Sequence, residues 1–295
     1  MLDIATQMTE TIDHSATAGC QIGLLGDGIS ASRTPSMHLA AAQAMGLPYS
    51  YSLIDPRART LPEDVGEILS LLEAEGFNGI NVTYPYKRAV IPYLDQISEA
   101  ARKVGAVNTI LFRDGKRFGH NTDHWGFAES MRRGLPDACM DRVLLLGAGG
   151  AGGAVAHALL DGGAGHLAVR DVNAGVANDL VDRLNDHYGS GRASVVTDVF
   201  DGTARAHGVV NASPVGMRKL PGLPLPAKAL RHDLWVADIV YFPLETELLA
   251  TARALGCAVL PGSGMALYQA IRAFELFSGH KPEIGRMREA FDAFD

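Results

Sequence analysis

The stretch Arg142-Val-Leu-Leu-Leu-Gly-Ala-Gly-Gly-Ala-Gly-Gly-Ala-Val-Ala-His-Ala-Leu-Leu160 decides how the rest of the chain is read. Val143 to Leu146 is a continuous apolar run, the pattern of a strand buried on both faces. Gly147, Gly149 and Gly152 follow in G-x-G-x-x-G spacing, and an Ala-rich helical run opens at once. Gly147 permits the tight turn, Gly149 lets backbone approach a pyrophosphate, and Gly152 lets helix and strand pack closely. The helix N-terminus offers free N–H groups and a positive dipole end to the phosphates. A second strand, His166 to Arg170, ends at Asp171. That acid comes about 20 residues after the last glycine, where a ribose hydroxyl is read. The stretch predicts a dinucleotide site built from Gly147, Ala148, Gly149, Gly150, Ala151, Gly152 and Asp171.

With 295 residues the chain is long for one core, and two domains are expected. Hydrophobic residues make up 47% and charged residues 20%, an ordinary globular balance. The net charge of −7 argues against a nucleic-acid or anionic-membrane surface, so anion sites must be built locally. Cys20, Cys139 and Cys257 form neither a disulfide framework nor a metal-ligand pattern, which points to a reducing, cytoplasmic setting without a metal. No run reaches the ~18 apolar residues of a membrane span. Residues 1–19 are polar, unlike a secretory signal, and read as a loose N-terminal extension.

Ahead of the glycine-rich stretch, strands are expected at Gln21 to Leu25, Tyr49 to Ile54 and Phe77 to Val82, with helices at Met37 to Met45, Glu63 to Glu75 and Ser98 to Val104. Thr34 is read as the cap of the first of these helices, before Pro35. Thr109 to Arg113 and Lys116 to His120 flank Asp114-Gly115, a hairpin signal. Beyond Asp171, a helix is expected at about Val176 to His187, strands at Ser194 to Thr197, Val209 to Asn211, Leu234 to Val240 and Ala258 to Leu260, and a helix at Thr246 to Leu255; two helices follow with no strand after them. The last carries an apolar stripe of Ile284, Met287, Phe291 and Phe294. The expected fold is α/β: an N-terminal α/β domain with a mostly parallel sheet (20–123 plus 263–295), and a doubly wound Rossmann domain (124–262). The C-terminal helices return to the first domain and close a cleft.

Polar clusters mark the strand ends and loops outside the fingerprint: Ser32/Thr34, Asn81-Val-Thr83 with Lys87, Asn108 with Asn121-Thr-Asp123, and Tyr241 with Gln269. Ligands of open α/β sheets collect at the carboxyl ends of strands. Singly, each has a plainer reading. Ser32, Thr34 and Asp123 are typical helix caps, Asn81 and Asn108 typical turn residues, Lys87 a solvated lysine, and Gln269 a water-facing helical residue.

Together they carry a resemblance. Gly79-Ile-Asn-Val-Thr-Tyr-Pro-Tyr-Lys87, Gly105-Ala-Val-Asn-Thr109, Gly119-His-Asn-Thr-Asp123, Gly147-Ala-Gly-Gly-Ala151, Asn211-Ala-Ser-Pro-Val-Gly-Met217 and the Gln269 helix resemble the shikimate dehydrogenase family, in the same order over nearly the whole chain from Gln21. The resemblance implies Lys87 and Asp123 as the catalytic pair. Ser32 and Thr34 match positions that grip the substrate carboxylate, and Thr83, Asn108, Tyr241 and Gln269 match further substrate contacts. Asn211 and Val240 fall on the cofactor side, with Met217 and Gly264 along the nicotinamide. The implied partners are small molecules (shikimate, quinate or their dehydro forms), in a monomer or homodimer. Two features depart from the common family pattern. Val169-Arg-Asp-Val-Asn173 replaces an Asn-Arg-Thr loop that cradles a 2′-phosphate. Asp171 would repel that phosphate, so NAD is favoured, while Arg170 keeps NADP possible. Ser32-Arg-Thr-Pro35 replaces Ser-x-Ser-Pro, and both features are similar to the NAD-dependent quinate/shikimate dehydrogenase branch. The alternatives are a paralogue acting on an aminoshikimate, and a non-catalytic sensor binding NAD and a cyclohexene carboxylate.

Overall fold

In the computed structural model, which describes residues 19–293, the chain builds two six-stranded sheets. The first collects β1 (Cys20–Leu25), β2 (Tyr49–Ile54), β3 (Gly79–Val82), β4 (Gln96–Ile97), β5 (Thr109–Arg113) and β6 (Lys116–His120), interleaved with α1 (Thr34–Ala44), α2 (Val65–Ala74) and α3 (Glu99–Val104). Its order is β2-β1-β3-β5-β6-β4. β1 runs parallel to β2 and β3, whereas β5 is antiparallel to both β3 and β6. Asp114 and Gly115 turn the β5–β6 hairpin at φ 51° and 68°, two positive values in succession as in a type I′ turn.

The helix α4 (Thr122–Gly134) leads into the second sheet. Its elements are β7 (Arg142–Leu146), α5 (Gly150–Asp161), β8 (His166–Arg170), α6 (Ala174–Tyr188), β9 (Ala193–Val195), α7 (Val199–Ala204), β10 (Gly208–Asn211), β11 (Trp235–Asp238), α8 (Glu247–Ala254) and β12 (Ala258–Leu260). The order β12-β11-β10-β7-β8-β9 is parallel throughout. The order in which strands are added reverses between β7 and β10, which opens a crevice at their carboxyl ends. Side-chain alternation assigns the two faces: Val143, Leu145, Val169 and Val210 pack with α5 and α6, while Leu144, Leu146, Val209 and Val236 pack with α8. This is the doubly wound α/β architecture.

Two C-terminal helices, α9 (Ser263–Ser278) and α10 (Ile284–Asp292), follow. Ala273, Leu276 and Phe277 of α9 lie on Ile22 and Leu111 of the first sheet, and Arg113 donates to the Leu276 carbonyl at 2.7 Å. Met287 and Phe291 of α10 share a core with Met37 and Ala41 of α1 and Phe274 of α9. α4 and α9 cross in close contact. A Cβ on Gly126 would stand 2.7 Å from the Gln269 amide nitrogen and 2.9 Å from the Met265 carbonyl oxygen. Farther along the crossing, a Cβ on Gly264 would collide with the Ser130 hydroxyl.

Several local expectations are corrected. Thr34 is not a cap: Arg33 holds that position without a side-chain bond, and Thr34 with Pro35 lies inside the first turn. Asp123 is not a cap either, because the Asn121 side chain accepts from the His124 amide. The stripe on the last helix runs one turn too far, with Ile284 38% exposed. Phe294 and residues 1–18 of the expected extension lie outside the described residues. The short helix α7 was not expected. Among the described residues, no helix is long and apolar enough to cross a membrane.

Gly126→Ala tests the crossing. The substitution gains ~1 kcal/mol of helix propensity, yet its methyl meets backbone that cannot move aside, and overpacking of this kind costs ~1–3 kcal/mol. Net destabilisation in urea unfolding is expected; a stabilised variant would contradict the close approach.

Candidate active site

The glycine-rich turn is shaped by its own backbone. Gly147 has φ 98°, and a Cβ there would lie 2.7 Å from the Ala212 carbonyl carbon. A Cβ on Gly152 would strike the Gly147 carbonyl oxygen. Gly149 and Gly150 differ, because nothing stands within 4 Å of a Cβ built on either. Their small size serves no contact within the chain and leaves backbone open to an incoming group. Gly149 caps α5 without any side-chain bond, so the helix N-terminus keeps its N–H groups free of side-chain capping. These features fit a dinucleotide pyrophosphate. Asp171 ties the turn to the end of β8: it accepts from the Ala148 amide at 2.7 Å and the Asn173 amide at 2.9 Å. Two backbone bonds hold this carboxylate in place with lone pairs to spare for ribose hydroxyls. Arg170 donates through Nε to the Thr197 carbonyl at 3.2 Å.

Across the crevice, Asn211 ends β10 and is fully buried. Its Nδ2 donates to the Val215 carbonyl and to Asp238, both at 2.9 Å. Its Oδ1 accepts from the Ser213 amide at 3.1 Å and hydroxyl at 2.6 Å. The side-chain amide is fully spent inside the protein, where it holds the loop. Met217 on that loop is 42% exposed. Val240 is buried, and Gly264 sits at the α4–α9 contact.

The second group of side chains gathers around α4. Lys87, in the turn after β3, reaches across 36 residues of sequence to place Nζ 2.5 Å from Asp123 Oδ2. The two side chains keep 22% and 10% of their exposure. The Lys87 carbonyl accepts from the Val107 amide at 2.8 Å, which fixes the lysine beside the Asn108 segment. Since Asn121 does the capping, Asp123 is left free for the pair, and the positive end of α4 favours its charge.

Asn108 accepts from the Thr122 amide at 2.7 Å and donates to the Thr122 hydroxyl at 2.9 Å. That hydroxyl lies 3.5 Å from Gln269 Oε1, so β5, α4 and α9 meet at one point. Asn81 donates to Thr109 Oγ1 at 3.0 Å and accepts from the Tyr51 hydroxyl at 2.8 Å, extending the network into the first sheet. Tyr241 packs its ring against Phe291 of α10, 5.9 Å between centroids. Burial pushes its hydroxyl pKa up; the Arg33 guanidinium opposes this and the Asp123 carboxylate adds to it. Thr83 packs where Gly26 has no Cβ, against the loop that leaves β1. Ser32 Oγ accepts from the Thr34 amide at 3.3 Å. Lys87, Asp123, Asn108, Gln269 and Tyr241 thus converge, while Ser32, Thr34 and Thr83 follow the carboxyl ends of β1 and β3.

Three participants escaped the sequence reading. Thr122 was quoted only as part of a motif, and Tyr51 alternates along a strand without any distinguishing pattern. Asp238 was visible as the lone acid in the apolar run Leu234 to Val240. Among the described residues, one set of metal-ligand side chains clusters: Cys139, Asp141 and His207, all exposed. They precede β7 and β10, at the opposite edge of the sheet from the crevice.

Known proteins share these features. The model of the shikimate dehydrogenase substrate binding domain matches residues 24–110, and that of the shikimate 5′-dehydrogenase C-terminal domain matches residues 262–290. A shikimate dehydrogenase (NADP(+)) of Streptomyces avermitilis is 51% identical over 90% of this chain and 92% of its own. A quinate/shikimate dehydrogenase (NAD(+)) of Corynebacterium glutamicum is 46% identical over 92% of this chain and 97% of its own. The structure of quinate dehydrogenase from Corynebacterium glutamicum in complex with NAD superimposes with a TM-score of 0.90 at 44% identity, covering 93% of this chain and 99% of that one. With identity at this level running the length of both sheets and the helices between them, the chain belongs to the shikimate dehydrogenase family.

Proposed function

We propose that the chain is an NAD-preferring dehydrogenase of shikimate and quinate, with residues 20–123 and 263–295 holding substrate and residues 124–262 holding cofactor. The observation that carries the reaction is the Lys87–Asp123 pair, a cation and a carboxylate in contact between the turn after β3 and the first turn of α4. The bound nicotinamide supplies the hydride acceptor, or the hydride donor in the reverse direction. The chain supplies the rest. Ser32 and Thr34 hold the substrate carboxylate through hydroxyl donors, and Thr83, Asn108, Tyr241 and Gln269 hold the ring and its hydroxyls. In the reducing direction the Lys87 ammonium donates a proton to the oxygen on which hydride addition builds negative charge; in the oxidising direction the amine form takes the O–H proton as the carbon–hydrogen bond breaks and becomes the ammonium. Asp123 orients that ammonium and keeps its charge local. Three free cysteines accord with a reducing, cytoplasmic setting.

Cofactor preference rests on Asp171. Its carboxylate, fixed by the Ala148 and Asn173 amides, repels a 2′-phosphate and accepts from a free ribose diol. Arg170, the group that would favour the phosphate, is drawn toward the Thr197 carbonyl. Thr34 in place of serine keeps the hydroxyl donor and adds a methyl that narrows its χ1 choices, shaping the pocket for the saturated quinate ring as well as for shikimate.

Steady-state assays with shikimate and quinate, each against NAD and NADP, test this reading. NAD is expected to give the higher kcat/KM with both acids, and Asp171→Asn to narrow the preference mainly through a lower KM for NADP. Equal wild-type kcat/KM values for the two cofactors would contradict the assignment of Asp171.

Lys87→Met is expected to lower turnover by roughly 10²–10⁴-fold, the range of a positioned acid–base group, with a smaller effect on substrate binding. Turnover within a few-fold of wild type in the folded variant would remove Lys87 from the chemistry.

A further inference from the structure

β10 and β11 each release a loop at the crevice, residues 212–217 and 239–246, and one buried carboxylate stands between them. Asp238, the last residue of β11, is 2% exposed. Its Oδ1 accepts from the Val240 amide and from Asn211 Nδ2, both at 2.9 Å, and its Oδ2 accepts from the Thr246 hydroxyl at 2.7 Å. Each partner organises a segment of its own. Asn211 gathers Ser213 and Val215 around its amide. Thr246 caps α8 by accepting from the Leu249 amide. Val240 leads directly to Tyr241, whose ring lies 5.9 Å from that of Phe291 on α10 and whose hydroxyl feels the charges of Arg33 and Asp123. The two loops also meet farther out, where the Arg218 amide donates to the Phe242 carbonyl at 3.2 Å.

Burying a carboxylate costs several kcal/mol when no cation accompanies it, and all three donors here are neutral. Burial accordingly pushes the Asp238 carboxyl up to about 6. An apolar residue would avoid that cost but would leave the Asn211 amide, the Val240 N–H and the Thr246 hydroxyl without their partner. The residue is therefore kept for what it joins.

We propose that Asp238 is a positioning residue of the active site: it locks the loop carrying Met217 to the loop carrying Val240 and Tyr241, so that the cofactor side and the Lys87–Asp123 side hold one relative placement. The inference rests on the dehydrogenase reading above for its catalytic consequence, though not for the loop geometry.

Hydrogen-bond arithmetic separates placement from charge. In Asp238→Asn the amide oxygen still accepts from Asn211 and Val240, while its NH₂ donates to a Thr246 hydroxyl that turns to accept. All three links survive without the charge. Asp238→Ala loses all three. Val236→Ala, a buried change in the same strand, serves as a stability control.

The experiment compares these variants by hydrogen exchange of segments 211–217 and 239–246, by NADH binding followed through tryptophan fluorescence, and by kcat and KM. Asp238→Ala is expected to speed exchange in both segments and weaken NADH binding. It should also cut kcat by roughly 10²-fold, the loss that a misplacement of about 1 Å brings, while KM for the acid substrate changes little. Asp238→Asn is expected to restore slow exchange, NADH binding and kcat to within a few-fold of wild type. Val236→Ala should lower the melting temperature and leave kcat and loop exchange near wild type. If Asp238→Asn is as impaired as Asp238→Ala, the charge matters rather than the placement and the proposal fails. It fails equally if Asp238→Ala leaves loop exchange unchanged, or if Val236→Ala reproduces its kcat loss. A wild-type protein inactive on both acids would overturn the dehydrogenase reading instead, and the exchange and NADH-binding comparisons would still decide whether Asp238 joins the loops.

Discussion

A lysine ammonium and a carboxylate held 2.5 Å apart and largely shielded from water set the terms for everything around them. Desolvating two charges offsets much of their attraction, so an ion pair of this kind adds little stability by itself. Its role is therefore sought in the chemistry proposed above rather than in the stability of the fold. Lys87 arrives from the turn after β3 and Asp123 from the first turn of α4, and neither element is adjacent to the other in sequence. The Val107 amide bonded to the Lys87 carbonyl, and Asn121 taking over the cap of α4, leave the two side chains little to do but face each other.

The architecture that delivers this pair depends on glycine in two distinct ways. At Gly126 and Gly264 the absence of a side chain lets α4 and α9 approach until Thr122 and Gln269 share one polar cluster. At Gly149 and Gly150 the absence of a side chain answers to nothing inside the protein. The first use is structural, and the second leaves room for a ligand. Because α4 both carries Asp123 in its first turn and leads into β7, any shift in the α4–α9 crossing moves Asp123 relative to the glycine-rich turn. The two sheets are joined by α4, by α9 and by the packing of Val104 and Ala106 on Ala154 of α5.

Much of this was legible in the sequence, for physical reasons that differ by region. Central strands of a parallel sheet are buried on both faces and read as unbroken apolar runs, so β7 stood out. The fingerprint glycines are local signals, and Asp114-Gly115 fixed a hairpin by turn chemistry alone. Contacts set by topology were not legible. Nothing in the residues between Lys87 and Asp123 says that the two touch, and only the family resemblance placed them together. Caps were misjudged because several candidates crowd one turn: Asn121 took the role that Asp123 was able to fill, and Arg33 the one expected of Thr34. Asn211 looked like a ligand contact, whereas its burial and four internal bonds make it part of the wall. Asp238 shows in the sequence only as the lone acid of the apolar run Leu234 to Val240, and its role comes from the strand ending there rather than at Val240.

If Lys87 and Asp123 act as one unit on the substrate hydroxyl, removing either should disable most of what removing both disables. A double-mutant cycle on kcat with Lys87→Met, Asp123→Asn and the combined variant measures this directly, provided each protein is verified as folded. The account predicts strong non-additivity, with the double variant no more than a few-fold slower than the worse single one. Losses in kcat that multiply would mean that the two residues act independently, and would contradict the pair as the centre of the chemistry.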